Sequence, residues 1–223
     1  MRILYKYASR SRPDKFRRGL ESIAQNSVSD NYVILATLDS DDPAIEQYCK
    51  ELRECSIASQ VIATIATSKN KIDAINRDLD VVQDWDILVN MSDDMVFTAQ
   101  GFDNVIRLAF NGNTDLFVHF SDGFQKSNIS TMSIIGRKYF ERDGYIYHPD
   151  YKSLWCDVEA TEVAKLRGCY KYMGDDINIL THLHVAWGKA EWDSLYERNE
   201  NRTINIADKE TYLARKAHNF YEH

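Results

Sequence analysis

Trp85-Asp86-Ile87-Leu88-Val89-Asn90-Met91-Ser92-Asp93-Asp94-Met95-Val96-Phe97 is the stretch on which the reading of this chain turns. Ile87–Met91 reads as a buried strand, two adjacent acids soon follow, and an apolar stretch resumes at once. Carboxylates at a strand end are held rigidly and point into the crevice beyond it. Two hard oxygen ligands there suit Mg²⁺ or Mn²⁺ bridging a diphosphate, since magnesium typically takes one or two carboxylates plus phosphate oxygens and water. Standing alone, the same pair reads more plainly as a solvated acidic turn or a helix cap.

Upstream, strand and helix patterns alternate. Ile3-Leu4-Tyr5 is a strand, and Phe16, Leu20 and Ile23 fall at helical spacing after Arg12-Pro13-Asp14, a natural helix opening. Residues 32–38 form a second strand that runs into Asp39. Asp42 as N-cap with Pro43 at the first helical position starts a helix whose Ile45, Tyr48, Cys49 and Leu52 share a face. Residues 61–65 are a third strand, and Ile72, Ile75, Leu79 and Val82 predict one helix before the Ile87 strand. Such alternation, with no Gly/Ser linker, predicts an α/β fold: a mostly parallel sheet, helices on both faces, and ligands at the carboxyl ends of the strands. Beyond residue 100 the pattern is mixed, with a helix near 105–110, strands near 116–120 and 131–135, a helix over 157–166, a strand near 179–185 and a helical tail from about Asp208.

The composition fits one folded domain. A chain of 223 residues that is 44% hydrophobic, with only 9 Gly and 3 Pro, is neither disordered nor collagen-like. Its 27 Lys+Arg against 34 Asp+Glu give a charge of −7, which disfavours a protein that coats nucleic acid or an anionic membrane. Lys6 and Arg10 interrupt any signal-peptide core, and no apolar run approaches the ~20 residues of a membrane span, so a soluble, cytoplasmic protein is expected. Cys49, Cys55, Cys156 and Cys169 contain no CxxC pair and are expected to be buried free thiols.

Ordered segments around the acidic pair add to it. Ser9-Arg10-Ser11-Arg12-Pro13 precedes a helix carrying Leu20-Glu21-Ser22-Ile23, Asp39 ends the second strand, Asn70-Lys71-Ile72-Asp73-Ala74-Ile75-Asn76 opens a helix, and Ser92-Asp93-Asp94 follows. In this order, from residue 1 to roughly 200, they resemble the GT-A glycosyltransferases, most like the inverting family-two type, which use nucleotide-diphosphate sugars. The resemblance implies that Ser9, Arg10, Arg12, Asp39, Lys71 and Asp93 cradle the nucleotide, with Asp39 on the base and Asp93 near the ribose. Asp94 inherits the metal-ligand role for Mn²⁺ or Mg²⁺, while Ser92 departs from the family's usual first acid. A second protein ligand is sought in Thr181-His182-Leu183-His184-Val185-Ala186-Trp187-Gly188, where both histidines project to one strand face. The resemblance favours His184 over His182.

An inverting transfer also needs a base to deprotonate the acceptor hydroxyl. Trp155-Cys156-Asp157-Val158-Glu159 resembles the family's acidic motif at its acceptor-side helix, which makes Asp157 the candidate and Glu159 the reserve. The competing reading is that both acids simply favour the positive end of a helix. Asp122, after another strand, is a candidate for the donor sugar, and Arg198, Arg202 or Lys209 for a lid over the diphosphate. The tyrosines around 139–151 and Trp155 suit an acceptor platform or ordinary packing equally.

The expectation is thus a single GT-A domain: a nucleotide-binding half (1–97), an acceptor-side half (98–205) and a C-terminal helix (206–223). It would transfer a sugar, with a UDP-sugar favoured as donor, to an acceptor hydroxyl with inversion. A saccharide, lipid-linked or protein acceptor is the ordinary expectation, and a modified DNA base is disfavoured by net acidity. The alternatives are a non-catalytic nucleotide-sugar-binding module and a nucleotidyltransferase on a related sheet.

Overall fold

The computed structural model describes residues 1–183, 188 and 191–221. A central sheet of seven strands has the order β3-β2-β1-β4-β7-β6-β8, built from β1 (Ile3–Ser9), β2 (Tyr32–Asp39), β3 (Val61–Ala66), β4 (Ile87–Met91), β6 (Phe117–His119), β7 (Ile134–Gly136) and β8 (Tyr170–Tyr172). All run parallel except β7, which is antiparallel to both of its neighbours. This is the mostly parallel α/β sheet expected from the alternation.

Both faces are covered, and residue parity shows why. On one face Ile3, Tyr5, Tyr7 and Val89 pack with Phe16, Leu20 and Ile23 of α1 (Pro13–Asn26), Tyr48 of α2 (Ile45–Glu54) and Ile106 and Phe110 of α4 (Phe102–Phe110). On the other, Leu4, Val33, Leu35 and Leu88 meet Ile72 and Ile75 of α3 (Lys71–Asn76), Val163 of α6 (Cys156–Leu166) and Tyr212 of α8 (Arg202–Ala217). A strand buried on both faces reads as a near-continuous apolar run, which is what 87–91 does apart from Asn90. Gly136 is required by close approach, since a Cβ there would lie 2.1 Å from the Thr114 carbonyl oxygen.

Three local expectations differ. The helix expected through Val82 ends at Asn76, because Arg77 turns extended and reaches back: its Nε donates to Ser68 Oγ at 2.9 Å and its guanidinium to the Leu38 carbonyl at 2.7 Å. Residues Leu79–Val81 then make a separate 3-10 turn. Asp42 does not cap α2, which begins at Ile45; its carboxylate accepts from the backbone N–H groups of Ser11 (2.6 Å) and Ala44 (2.9 Å), tying two loops together. All four cysteines are free, but Cys49 and Cys55 are only partly buried.

Lys6 is the one anomaly of the central strand. It is fully buried, and its ammonium donates to Thr37 Oγ1 and, at 2.8 Å, to the Arg77 carbonyl. Burial lowers its pKa from 10.5 to about 7, against the opposing field of Asp78. Between those values the unfolded chain binds the extra proton, so the penalty of burying Lys6 shrinks as pH rises. Relative to Lys6→Met, the wild type should therefore gain about 1.4 kcal/mol of stability per pH unit between about pH 7.5 and 9.5. Urea unfolding of both proteins across that range checks this; a pH-independent difference would show that Lys6 is not driven toward neutrality.

Candidate active site

A cavity of about 330 Å³ opens at the carboxyl ends of β1, β2 and β4. Ser9, Arg10, Arg12, Asp39, Lys71, Asp93, Asp94 and Asp157 all line it. Of the remaining expected residues, Glu159 is not in its wall and His184 lies outside the described residues. His182, the lesser choice from sequence, lines the cavity.

The register of a second, small sheet brings His182 there. β5 (Met95–Phe97) pairs antiparallel with β9 (Leu180–His182), setting Met95 opposite His182, and the Leu183 N–H donates to the Asp94 carbonyl at 2.6 Å. His182 Nε2 thus lies 3.5 Å from Asp94 Oδ2, and its Nδ1 lies 3.6 Å from Asp122 Oδ2. Burial alone would lower the imidazole's pKa, yet the two carboxylates push it up to about 9. Despite its own burial, Asp94 is held well below the usual carboxylate range, first by His182. Asp122 is itself fixed by the backbone N–H groups of Phe124 (2.8 Å) and Gln125 (2.7 Å), so it orients the histidine from behind.

Asp93 is occupied differently. Arg12 donates to its Oδ1 and Ser9 to its Oδ2, both at 2.9 Å. Burial and the adjacent Asp94 raise its pKa, against the pull of Arg12. The same Arg12 forks onto Asp193 at 2.8 and 2.6 Å and lies 4.2 Å from the centre of the Tyr196 ring. Asp193 caps α7 (Ser194–Asn199), and Tyr196 donates its hydroxyl to Asp94 Oδ2 at 3.2 Å. Sequence reasoning passed over Asp193 and Tyr196; Asp193-Ser194 did carry an N-cap signal, but nothing local pointed to Arg12.

Beyond β2, Arg10 bridges Asp39 (2.9 Å) and Asp41 (2.5 Å), and Asp39 also accepts from the Ser68 N–H at 3.1 Å. Lys71 has no hydrogen bond or ion pair among the described residues, although Glu200 and Asp94 raise its pKa against the effect of burial. An ammonium with no fixed partner beside Asp94 is suited to a phosphate oxygen.

The residues fit a divalent cation. Asp94 Oδ1 is buried with no hydrogen-bond partner among the described residues, a costly arrangement unless something outside the chain meets that oxygen. With His182 alongside, the donors are carboxylate oxygen and, once a cation displaces the proton that Asp94 and Asp122 hold on the ring, imidazole nitrogen, a set compatible with Mn²⁺ or Mg²⁺. No cluster of three His, Cys, Asp or Glu suited to a metal occurs among the described residues, so phosphate and water oxygens would complete the shell.

Asp157 sits in the first turn of α6, a helix that starts just after Trp155, whose backbone is left-handed (φ 65°). Burial raises the Asp157 pKa, partly offset by the Val158 N–H and by Lys71. Glu159 points away: Arg215 of α8 clasps its carboxylate at 2.9–3.0 Å, and Tyr151 donates to it at 2.6 Å. It is a structural anchor. Asp208, also on α8, accepts from the backbone N–H groups of Lys152, Ser153 and Leu154 at 3.0, 2.9 and 2.8 Å, which shapes the loop leading into Asp157. Asp208→Ala would orphan three inward N–H groups and should cost about 3 kcal/mol of unfolding free energy, measured by denaturant titration; a loss under about 1 kcal/mol would mean that the loop keeps its shape unaided.

No model of a known protein family matches the chain, and no curated protein matches it in sequence. Solved structures do match in fold. The mannosyltransferase PcManGT from Pyrobaculum calidifontis, in complex with GDP-Man and Mn²⁺, superposes with a TM-score of 0.66 at 12% identity, covering 95% of this chain and 69% of its own. Staphylococcus aureus TarS 1–349 with UDP-GlcNAc gives 0.66 at 10% identity over 87% of this chain and 60% of that one. Glucosyl-3-phosphoglycerate synthase from Mycobacterium tuberculosis, with Mg²⁺ and UDP, gives 0.54 at 10% identity, over 82% and 72%. The chain therefore has the GT-A glycosyltransferase fold, and it spans 60–72% of the length of these three chains. No helix among the described residues is long and apolar enough to cross a membrane.

Proposed function

We propose that this protein is a glycosyltransferase that moves a sugar from a nucleotide-diphosphate sugar, a UDP-sugar by preference, to an acceptor hydroxyl with inversion. The observation that carries the reading is the meeting of Asp94, His182, Lys71 and Asp157 in one cavity at the strand ends. The three fold neighbours support it, since their complexes contain GDP-Man, UDP-GlcNAc or UDP, two of them with Mn²⁺ or Mg²⁺.

In this reading Asp39 and Arg10 lie at the base end, Lys71 meets the diphosphate, and Asp94 and His182 hold Mn²⁺ or Mg²⁺. When bound, the cation supplies Lewis-acid stabilisation of the departing diphosphate. Asp157 takes the proton of the acceptor hydroxyl as its oxygen bonds to the anomeric carbon from the face opposite the leaving group. The bond from that carbon to the phosphate oxygen breaks, and its electron pair leaves on the diphosphate, where Lys71 offsets the new charge. Packing of α7 over Asp93 and Asp94 keeps water from the donor.

Calorimetric titration of UDP, GDP and their sugars with and without Mn²⁺, paired with an assay of released nucleotide, tests the reading. Cation-dependent binding with release of the nucleotide is expected. Binding without any turnover would favour a nucleotide-sugar-binding module, and no binding would remove the reading altogether.

A further inference from the structure

We propose that Asn90 and Ser153 bind hydroxyl groups of the sugar ring being transferred and thereby set which nucleotide sugar is used; this rests on the glycosyltransferase reading above. Both side chains line the cavity, Asn90 is 6% and Ser153 4% exposed, and Asn90 Oδ1 and Ser153 Oγ have no hydrogen-bond partner among the described residues. The Asn90 amide also hydrogen-bonds the Tyr147 side chain, which accounts for its nitrogen end, but its Oδ1 and the Ser153 Oγ are not met by the fold. Asn90 is a β4 residue on the same strand face as Leu88, where an apolar side chain would pack, and its backbone N–H already donates to the Ser133 carbonyl at 2.9 Å. The loop at Ser153 is shaped by Asp208 through the backbone N–H, so its conformation does not call on the hydroxyl. Where folding physics gives a buried polar atom no partner, a ligand is the explanation to test.

The chemistry of the pair says which part of the donor it meets. Among the charged groups of the cavity, Lys71, Asp94 and His182 suit a diphosphate and its cation. An amide and an aliphatic hydroxyl are neutral, offer both donors and acceptors, and match sugar hydroxyls instead. Their places in the chain agree, for Asn90 lies four residues before Asp94 and Ser153 four residues before Asp157. The sugar ring must lie between those two carboxylates if one helps hold the leaving diphosphate and the other deprotonates the attacking hydroxyl. A site that hydrogen-bonds a substrate hydroxyl also rejects analogues lacking it or carrying it in the wrong configuration, because its own polar atoms are then left unpaired.

The test compares nucleotides with nucleotide sugars. With Mn²⁺ present, the affinities of UDP, GDP, UDP-glucose, UDP-GlcNAc and GDP-mannose are measured by calorimetry for the wild type, Ser153→Ala and Asn90→Ala. Each variant should bind the nucleoside diphosphates within about twofold of wild type yet bind the preferred nucleotide sugar about tenfold more weakly. Ser153→Ala should also leave the thermal midpoint of the unliganded protein unchanged or raised, which a hydroxyl with a structural partner would not allow. The proposal is overturned if nucleotide and nucleotide-sugar affinities move together, if neither moves, or if Ser153→Ala lowers the midpoint by several degrees. A wild type that binds no nucleotide at all overturns the glycosyltransferase reading and the subsite with it, whereas nucleotide binding without selective loss in the variants overturns the subsite alone.

Discussion

Asp94→Asn is expected to lower turnover about 10³-fold and to abolish the Mn²⁺ dependence of nucleotide binding, while leaving the thermal midpoint within a few degrees of wild type. The size follows from what the carboxylate does: it is the acidic member of the Asp94 and His182 pair, and its Oδ1 has no partner among the described residues. An amide keeps the shape but loses the charge that would hold a hard cation, and a loss of 10³ corresponds to about 4 kcal/mol of transition-state stabilisation. The small stability effect follows from opposing changes. Weaker contacts to His182 and to the Tyr196 hydroxyl are offset by relief of the repulsion from Asp94 that adds to burial in raising the Asp93 pKa. Calorimetry of UDP binding with and without Mn²⁺, set beside nucleotide release, measures both parts; intact metal dependence in the variant would remove Asp94 as a ligand.

The outline of this site was legible because its parts are local. Asp39, Asp93 and Asp94 follow apolar runs whose burial the sheet confirms, and a chain that alternates strand and helix must place such strand ends along one crevice. What escaped depends on partners distant in sequence. His182 and His184 share a strand face in sequence, and only the pairing of Met95 with His182, across a strand of three residues too short to announce itself, puts His182 against Asp94. Glu159, the reserve base in the acidic motif, is claimed by Arg215, 56 residues later. The helix expected through Val82 is broken by tertiary bonds from Arg77 that outweigh apolar periodicity. The −7 charge takes on meaning here as well. Arg12 and His182 already compensate Asp93 and Asp94, so Lys71 and Arg198, cavity cations without an ion pair among the described residues, suit an anionic ligand.

Asp157→Asn should cut turnover by a factor of about 10²–10⁴, the usual contribution of a general base, with UDP affinity unchanged within about twofold. This substitution separates the two roles open to an acid at a helix start. Asp157 Oδ1 accepts from the Val158 N–H at 2.9 Å, a bond that asparagine preserves, and asparagine serves helix N-termini about as well as aspartate. If Asp157 only eases the helix end, the variant is nearly neutral in both stability and turnover. If it takes the acceptor proton, the amide cannot, and the loss falls on kcat. The pH profile gives an independent reading. A base must be deprotonated to act, so wild-type kcat should fall as pH drops through the Asp157 pKa, which burial places above the usual carboxylate value of 3.8. That acid limb should be missing from the residual activity of Asp157→Asn. Glu159→Gln supplies the contrast: Arg215 loses its buried counter-charge, so stability falls, while kcat per folded molecule and the acid limb persist. Full activity in Asp157→Asn, or an acid limb that survives in it, would move the base elsewhere in the cavity.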